Sequence, residues 1–264
     1  MSLVYAPRGL LGVLTPQANT TVEPEFQILC PPGVTLLAAR MTSSAADLQS
    51  RLCDYYKHLP RWIAEFANAP LGAVASACTG ASYLMGAEAE DRLFTQLSHA
   101  IGRPVTNSAL AVVAAMRCLG VRRMALVSPY PVWLTAHSQA YWESRDLQVR
   151  QVLQMATDSG AFHPIYALRS QAAEQAIAQV RADVDAVLLL GTGTPTLPAL
   201  ARHPQDDAGR PILSCNLALL WHALEAMHGH HRAPRRAALL GLLNDRQWRS
   251  RLRAATMGPS QRRP

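Results

Sequence analysis

What this chain lacks sets the first limits. No apolar run approaches the ~18–20 residues that a membrane-spanning helix needs, although 49% of the 264 residues are apolar. The N-terminus, Met1-Ser2-Leu3-Val4-Tyr5-Ala6-Pro7-Arg8, has none of the charged, apolar and small-residue regions of a secretory signal. Cysteine is scarce, and five scattered residues make no disulfide framework. A reducing cytoplasm and no membrane contact are expected. No glycine-rich loop has the spacing that cradles a dinucleotide or a phosphate, since Gly191-Thr192-Gly193-Thr194 lacks a third glycine. His222, His228, His230 and His231 crowd together, but without a helical i, i+4 pair and a carboxylate partner they do not read as a metal site. No metal and no cofactor is expected.

Charge of one sign is also missing from most of the molecule. The net charge is +7, yet residues 1–229 hold 16 Lys/Arg against 17 Asp/Glu, a net of −1. Residues 230–264 hold nine Arg and one Asp, a net of +8. A basic tail can touch nucleic acid or lipid, but the body has no such footprint. The tail reads as a solvated appendage, with a helix over 237–253, and no nucleic-acid partner is expected.

What is present is a repeated sentence. Gly72-Ala73-Val74-Ala75-Ser76-Ala77-Cys78-Thr79-Gly80-Ala81 reads as a short buried strand turning into a helix. Asp185-Ala186-Val187-Leu188-Leu189-Leu190-Gly191-Thr192-Gly193-Thr194 repeats it at an offset of 113, with Gly191 opposite Cys78. Leu11-Gly12-Val13-Leu14-Thr15-Pro16-Gln17 returns at the same offset as Met124-Ala125-Leu126-Val127-Ser128-Pro129-Tyr130. Arg103-Pro104-Val105-Thr106 returns as Arg210-Pro211-Ile212-Leu213 with the offset slipped to 107. Strand–helix alternation implies right-handed βαβ units and parallel sheets. The prediction is α/β: two similar Rossmann-like, flavodoxin-like lobes related by a pseudo-two-fold, with the active site in the cleft between them. Residues 1–120 and a closing helix at 215–229 form one lobe, residues 121–214 the other, and 230–264 the tail. The first strand is expected over 9–14, broken by Thr15-Pro16. Apolar spacing places a helix over 45–68, with a break at Pro60.

Ligands of α/β sheets gather outside the carboxyl ends of parallel strands. Cys78 stands there, with the N–H groups of Thr79 and Gly80 to support a thiolate or an anionic substrate. Read blandly, it is a small apolar residue filling a strand end. Asn19 and Tyr130 follow the first strands of the two halves and can bind a carboxylate through an amide and a phenol. Their ordinary readings are an Asx-type turn and a half-buried aromatic. Thr192 and Gly193 mirror Thr79 and Gly80 and offer a second anion nest.

Residues 15–25 (Thr-Pro-Gln-Ala-Asn-Thr-Thr-Val-Glu-Pro-Glu), 77–82 (Ala-Cys-Thr-Gly-Ala-Ser), 128–130 (Ser-Pro-Tyr) and 221–224 (Trp-His-Ala-Leu) resemble the Asp/Glu racemase superfamily. The resemblance spans residues 9–229 and is closest to the maleate cis–trans isomerase and arylmalonate decarboxylase branch. It implies that Cys78 is the nucleophile, that Asn19 and Tyr130 hold carboxylates, and that the protein is a homodimer or larger homo-oligomer. It also implies a carboxylate-binding Asn near 157–165, where this chain has none and His163 is the substitute. Isomerases and racemases of this kind carry a second cysteine where this chain has Gly191, which disfavours two-base racemisation and leaves one-thiol chemistry. The expected function is therefore a cofactor-independent isomerase of a small dicarboxylate, with Cys78 and Tyr130 catalytic. Asn19, Thr79, Gly80, Gly191, Thr192, Gly193 and His163 would bind substrate. The alternatives are a malonate decarboxylase with Cys78 as proton donor, and a non-catalytic carboxylate-binding homologue.

Overall fold

The computed structural model describes residues 3–155, 165–181, 183–229 and 235–256. Among the described residues, eight strands make two four-stranded sheets in which all strand pairs run parallel. The first holds β1 (Gly9–Pro16), β2 (Val34–Met41), β3 (Ala73–Ser76) and β4 (Val105–Asn107) in the order β2-β1-β3-β4. The second holds β5 (Arg123–Ser128), β6 (Gln148–Gln154), β7 (Ala186–Leu189) and β8 (Ile212–Ser214) in the order β6-β5-β7-β8. The central strands are continuous apolar runs because helices exclude water from both faces: every residue of β3 and β7 is buried. The edge strands β2 and β6 keep exposed positions.

The duplication survives at the level of register. Leu11 pairs with Ala73 in the first sheet and Met124 with Ala186 in the second, each residue displaced by 113. Val74 pairs with Val105, and Val187 with Ile212, so the final strand carries the shorter offset. Asn107 and Ser214, at that shorter offset, do the same work. Each caps the following helix, α6 (Ser108–Leu119) or α10 (Cys215–His228), by accepting from the N–H of Leu110 (2.8 Å) or Leu217 (3.3 Å).

Other expectations need adjusting. β1 runs through Thr15 and Pro16 rather than stopping before them. Its last two residues pair only with β2, because β3 ends opposite Leu14, so a proline without an N–H removes no bond from that side. The long helix is two, α2 (Leu48–Lys57) and α3 (Leu59–Ala64), with Pro60 in the first turn of the second. The C-terminal region is no solvated appendage over 235–256. It forms α11 (Arg236–Asn244) and α12 (Arg246–Thr256) rather than one helix, with Asp245 between them. Leu239, Leu243, Trp248 and Leu252 are buried at three- to four-residue spacing. α11 packs on α6 and α10, whereas α12 packs on α1 (Val22–Leu29) and α9 (Leu197–Arg202). Arg251 donates to the carbonyls of Ile28 (2.7 Å) and Cys30 (3.1 Å), capping the end of α1.

The lobes are tied on two sides. Glu90, on α5 (Ala87–Ile101), accepts from Asn107 (2.7 Å) and from Arg145 (2.8 Å), just beyond α7 (Val132–Glu143). Glu25, on α1, reaches the start of α9 and the side chain of Asn216 on α10. Among the described residues no helix is long and apolar enough to cross a membrane.

Candidate active site

In a sheet of order 2-1-3-4 the connections leave in opposite directions on either side of strand 1, and a crevice opens between the carboxyl ends of strands 1 and 3. Both sheets have this crevice, and the two face each other. The segment Pro16-Gln17-Ala18 after β1, Cys78 after β3, Tyr130 after β5 and Gly191-Thr192-Gly193 after β7 all line one cleft. Its empty volume, open mouth included, is about 600 Å³.

Cys78 is 3% exposed and has extended backbone (φ −145°, ψ 109°), directly before α4 (Thr79–Met85). Burial pushes its thiol up to about 11, against the opposing pull of the N–H groups of Ala81 and Gly80 beside the sulfur. The free thiol is therefore protonated at neutral pH. Tyr56, on α2, donates to the Cys78 carbonyl (2.9 Å) and meets Ser82 Oγ (3.0 Å), which fixes the peptide carrying the sulfur.

Tyr130 faces Thr79, with 2.6 Å between the hydroxyl oxygens. Burial drives its phenol well above the ordinary value, so it is a neutral hydrogen-bonding group. Thr192 donates to the Ala77 carbonyl at 2.8 Å, joining the second-lobe turn to the residue before the thiol. Thr21 Oγ1 donates to the Gly193 carbonyl at 2.8 Å. Gly193 is a position of close approach: a Cβ there would lie 2.2 Å from Tyr166 Cε1. Gly191 has φ +89°, a conformation side chains disfavour.

The sequence-predicted residues thus converge, with two qualifications. Asn19 is 1% exposed and stands behind the cleft wall. Its Oδ1 accepts from the N–H groups of Thr21 (2.9 Å) and Val22 (3.1 Å), an Asx-type turn into α1, while Nδ2 donates to Thr192 Oγ1 (3.3 Å). His163 lies outside the described residues.

Sequence reasoning missed one wall entirely. Leu48, Arg51, Leu52 and Tyr55 of α2 line the cleft, at the i, i+3, i+4, i+7 spacing of one helix face. Leu48, Leu52 and Tyr55 give this face its apolar character, and Arg51 among them was the clue. Its guanidinium has no hydrogen bond or ion pair among the described residues. Gln17, which also lines the cleft, is the repeat partner of Tyr130 at the offset of 113. Leu134 and Ile165 complete an apolar side. Among the described residues no group of three or more His, Cys, Asp or Glu is placed to hold a metal ion.

A profile of the arylmalonate decarboxylase family matches residues 11–240. The chain belongs to this family. Among its curated relatives, the maleate isomerase of Alcaligenes faecalis is 24% identical over 253 residues, covering 87% of this chain and 95% of the relative. Two solved structures share the fold of this family member. The maleate isomerase Iso of Pseudomonas putida S16 is 23% identical with a TM-score of 0.76, covering 89% of this chain and 99% of that one. A cysteine-to-serine variant of the Nocardia farcinica maleate cis-trans isomerase, holding a covalent succinylcysteine intermediate, is 22% identical with a TM-score of 0.72. That match covers 83% of this chain and 92% of the Nocardia chain.

Proposed function

We propose that the protein is a cofactor-independent cis–trans isomerase of a small unsaturated dicarboxylate, with Cys78 as nucleophile. The observation that carries this is the placement of one buried thiol in a cleft rimmed by the first residues of α4, Thr79-Gly80, and by the Thr192-Gly193 turn, which stand at repeat-equivalent positions after parallel strands. Two such turns, with the phenol of Tyr130, suit the two carboxylates of a compact diacid. Arg51 supplies the only cation on the described lining and favours entry of a dianion.

The thiol adds across the double bond. Sulfur bonds to one alkene carbon, and the π electrons move toward the carboxylate on the other, whose enediolate-like charge is stabilised by Tyr130 and the turn amides. The proton leaving sulfur goes to that second carbon, which gives a succinyl thioether. The former double bond is now single and rotates. Rotation brings the other hydrogen of that carbon beside sulfur, and its return to sulfur with cleavage of the S–C bond restores the thiol and releases the trans diacid. A protonated resting thiol suits this sequence, because it admits a dianion without like-charge repulsion and brings the proton that the addition needs. The covalent adduct in the Nocardia variant persists in a protein that has lost a cysteine, which supports an addition step that works without a full complement of thiols.

The apolar side formed by Leu48, Leu52, Leu134 and Ile165 favours a second reading, decarboxylation of a substituted malonate with Cys78 protonating the resulting enolate. Alkylation tests the shared premise. Iodoacetamide should modify Cys78 in the folded protein, and maleate should slow that reaction while substituted malonates do so less. A Cys78 that reacts only on unfolding removes both readings.

A further inference from the structure

We infer that Glu25 is a positioning residue for this site, its carboxylate reaching from the first lobe to set where the Thr192-Gly193 turn stands relative to Cys78. The inference rests on the proposed site and adds Glu25, to which the sequence alone assigns no role. Glu25 is 5% exposed. Its Oε1 accepts from the N–H groups of Thr196 (2.6 Å) and Leu197 (3.0 Å), and both oxygens lie 3.2 Å from Thr196 Oγ1. Its Oε2 accepts from Asn216 Nδ2 at 2.8 Å. The same Nδ2 donates to the Thr192 carbonyl at 3.0 Å, and Thr192 Oγ1 donates to Ala77 O at 2.8 Å. An unbroken chain of hydrogen bonds therefore runs from Glu25 through Asn216 and Thr192 to the peptide before the nucleophile.

The second buried carboxylate that ties the lobes is held differently. Glu90 is matched by the guanidinium of Arg145, as a buried carboxylate usually must be. Glu25 has no ion-pair partner among the described residues, only neutral donors from the segment that follows the turn and from Asn216. A buried acid held by neutral donors costs stability, and here what it holds is the rim of the cleft.

The test uses Glu25→Gln beside Glu90→Gln, which loosens the tie that makes no hydrogen bond to the Thr192-Gly193 turn. Glutamine keeps one acceptor for Thr196 and Leu197 but sets an NH2 against Asn216 Nδ2, so Asn216 releases the Thr192 carbonyl. Two readouts are followed: hydrogen–deuterium exchange over 191–197, and the maleate concentration that half-protects Cys78 from iodoacetamide. Loss of one buried hydrogen bond predicts ~10-fold change in each, while the alkylation rate of the unliganded thiol stays within about 2-fold. Glu90→Gln should change neither readout despite its lower melting temperature. Asn216→Ser, which cuts the link and spares the carboxylate, should reproduce both changes. Unaltered exchange in Glu25→Gln and Asn216→Ser, or the same two effects in Glu90→Gln, overturns the inference. A wild-type protein that maleate does not protect defeats the isomerase reading instead, and the exchange comparison then decides alone whether Glu25 holds the turn.

Discussion

Replacing Gly191 with cysteine, as if to supply the second thiol that the resemblance leads one to expect, should damage this protein. At φ +89° an L-residue pays about 1–2 kcal/mol for left-handed backbone. The new Cβ would lie 2.8 Å from Thr194 Oγ1 and 2.9 Å from Pro129 Cγ, and relieving such overpacking costs about 1–3 kcal/mol. A total near 3 kcal/mol corresponds to a fall of roughly 6–12 °C in melting temperature for a chain of this size. The Cβ would also stand 3.6 Å from the Tyr130 hydroxyl, so the thiol beyond it disturbs the Thr79–Tyr130 contact and turnover drops. The assay is a thermal scan of wild type, Gly191→Ala and Gly191→Cys, with initial rates on maleate. The cost lies in the backbone and the Cβ, so alanine and cysteine should lose similar stability. A Gly191→Cys protein as stable as wild type and faster on maleate would refute the reasoning.

A buried carboxyl and a half-buried imidazole should give opposite slopes to the pH dependence of stability. Burial lowers His222 from 6.5 to about 4, so the unfolded chain takes up a proton that the fold refuses, and stability is lost as pH falls from 6.5 toward 4. Burial raises Glu25 from 4.5 to about 7, so the fold retains a proton that the unfolded chain has released, and stability is lost as pH rises from 4.5 to 7. Each effect amounts to about 3 kcal/mol across its window. Urea melts from pH 4.5 to 6.5 should therefore show a small net slope from this pair in wild type, a falling one in His222→Gln and a rising one in Glu25→Gln; parallel curves contradict the assignment. Trp248→Ala should cost about 3–5 kcal/mol in the same melts, because it empties a fully buried indole site under the C-terminal helices; a neutral result would mean those helices do not pack. Arg51→Gln should raise KM for a dianionic substrate about 5-fold or more with little change in kcat, the sign of lost uniform binding; a selective fall in kcat would place Arg51 in the chemistry instead.

Much of the architecture was legible because duplication writes itself twice. The offset of 113 that relates Cys78 to Gly191 is the displacement found in the strand register, and the slipped offset of 107 recurs in β4 and β8. Cys78, Tyr130, Thr192 and Gly193 were visible because strand ends and helix starts are local signals. What escaped depends on contacts distant in sequence. Glu25 reads as an acid in the first turn of a helix, and its partners lie 171 to 191 residues away. Asn19 was identified, but the direction of its amide, toward Thr21 and Thr192 rather than into the cleft, is settled only by packing. The C-terminal arginines dominate the composition and conceal Leu239, Leu243, Trp248 and Leu252 between them, whose period is that of a packed helix face.

The proposed chemistry is the addition of a single thiol, Cys78, to the double bond of a small diacid. Proton NMR of maleate incubated with the purified protein, beside Cys78→Ser, tests it most directly. Fumarate should form with the intact protein, and none above background with the variant. Equal conversion by both proteins, or no fumarate from a folded wild type whose Cys78 maleate protects, would contradict it.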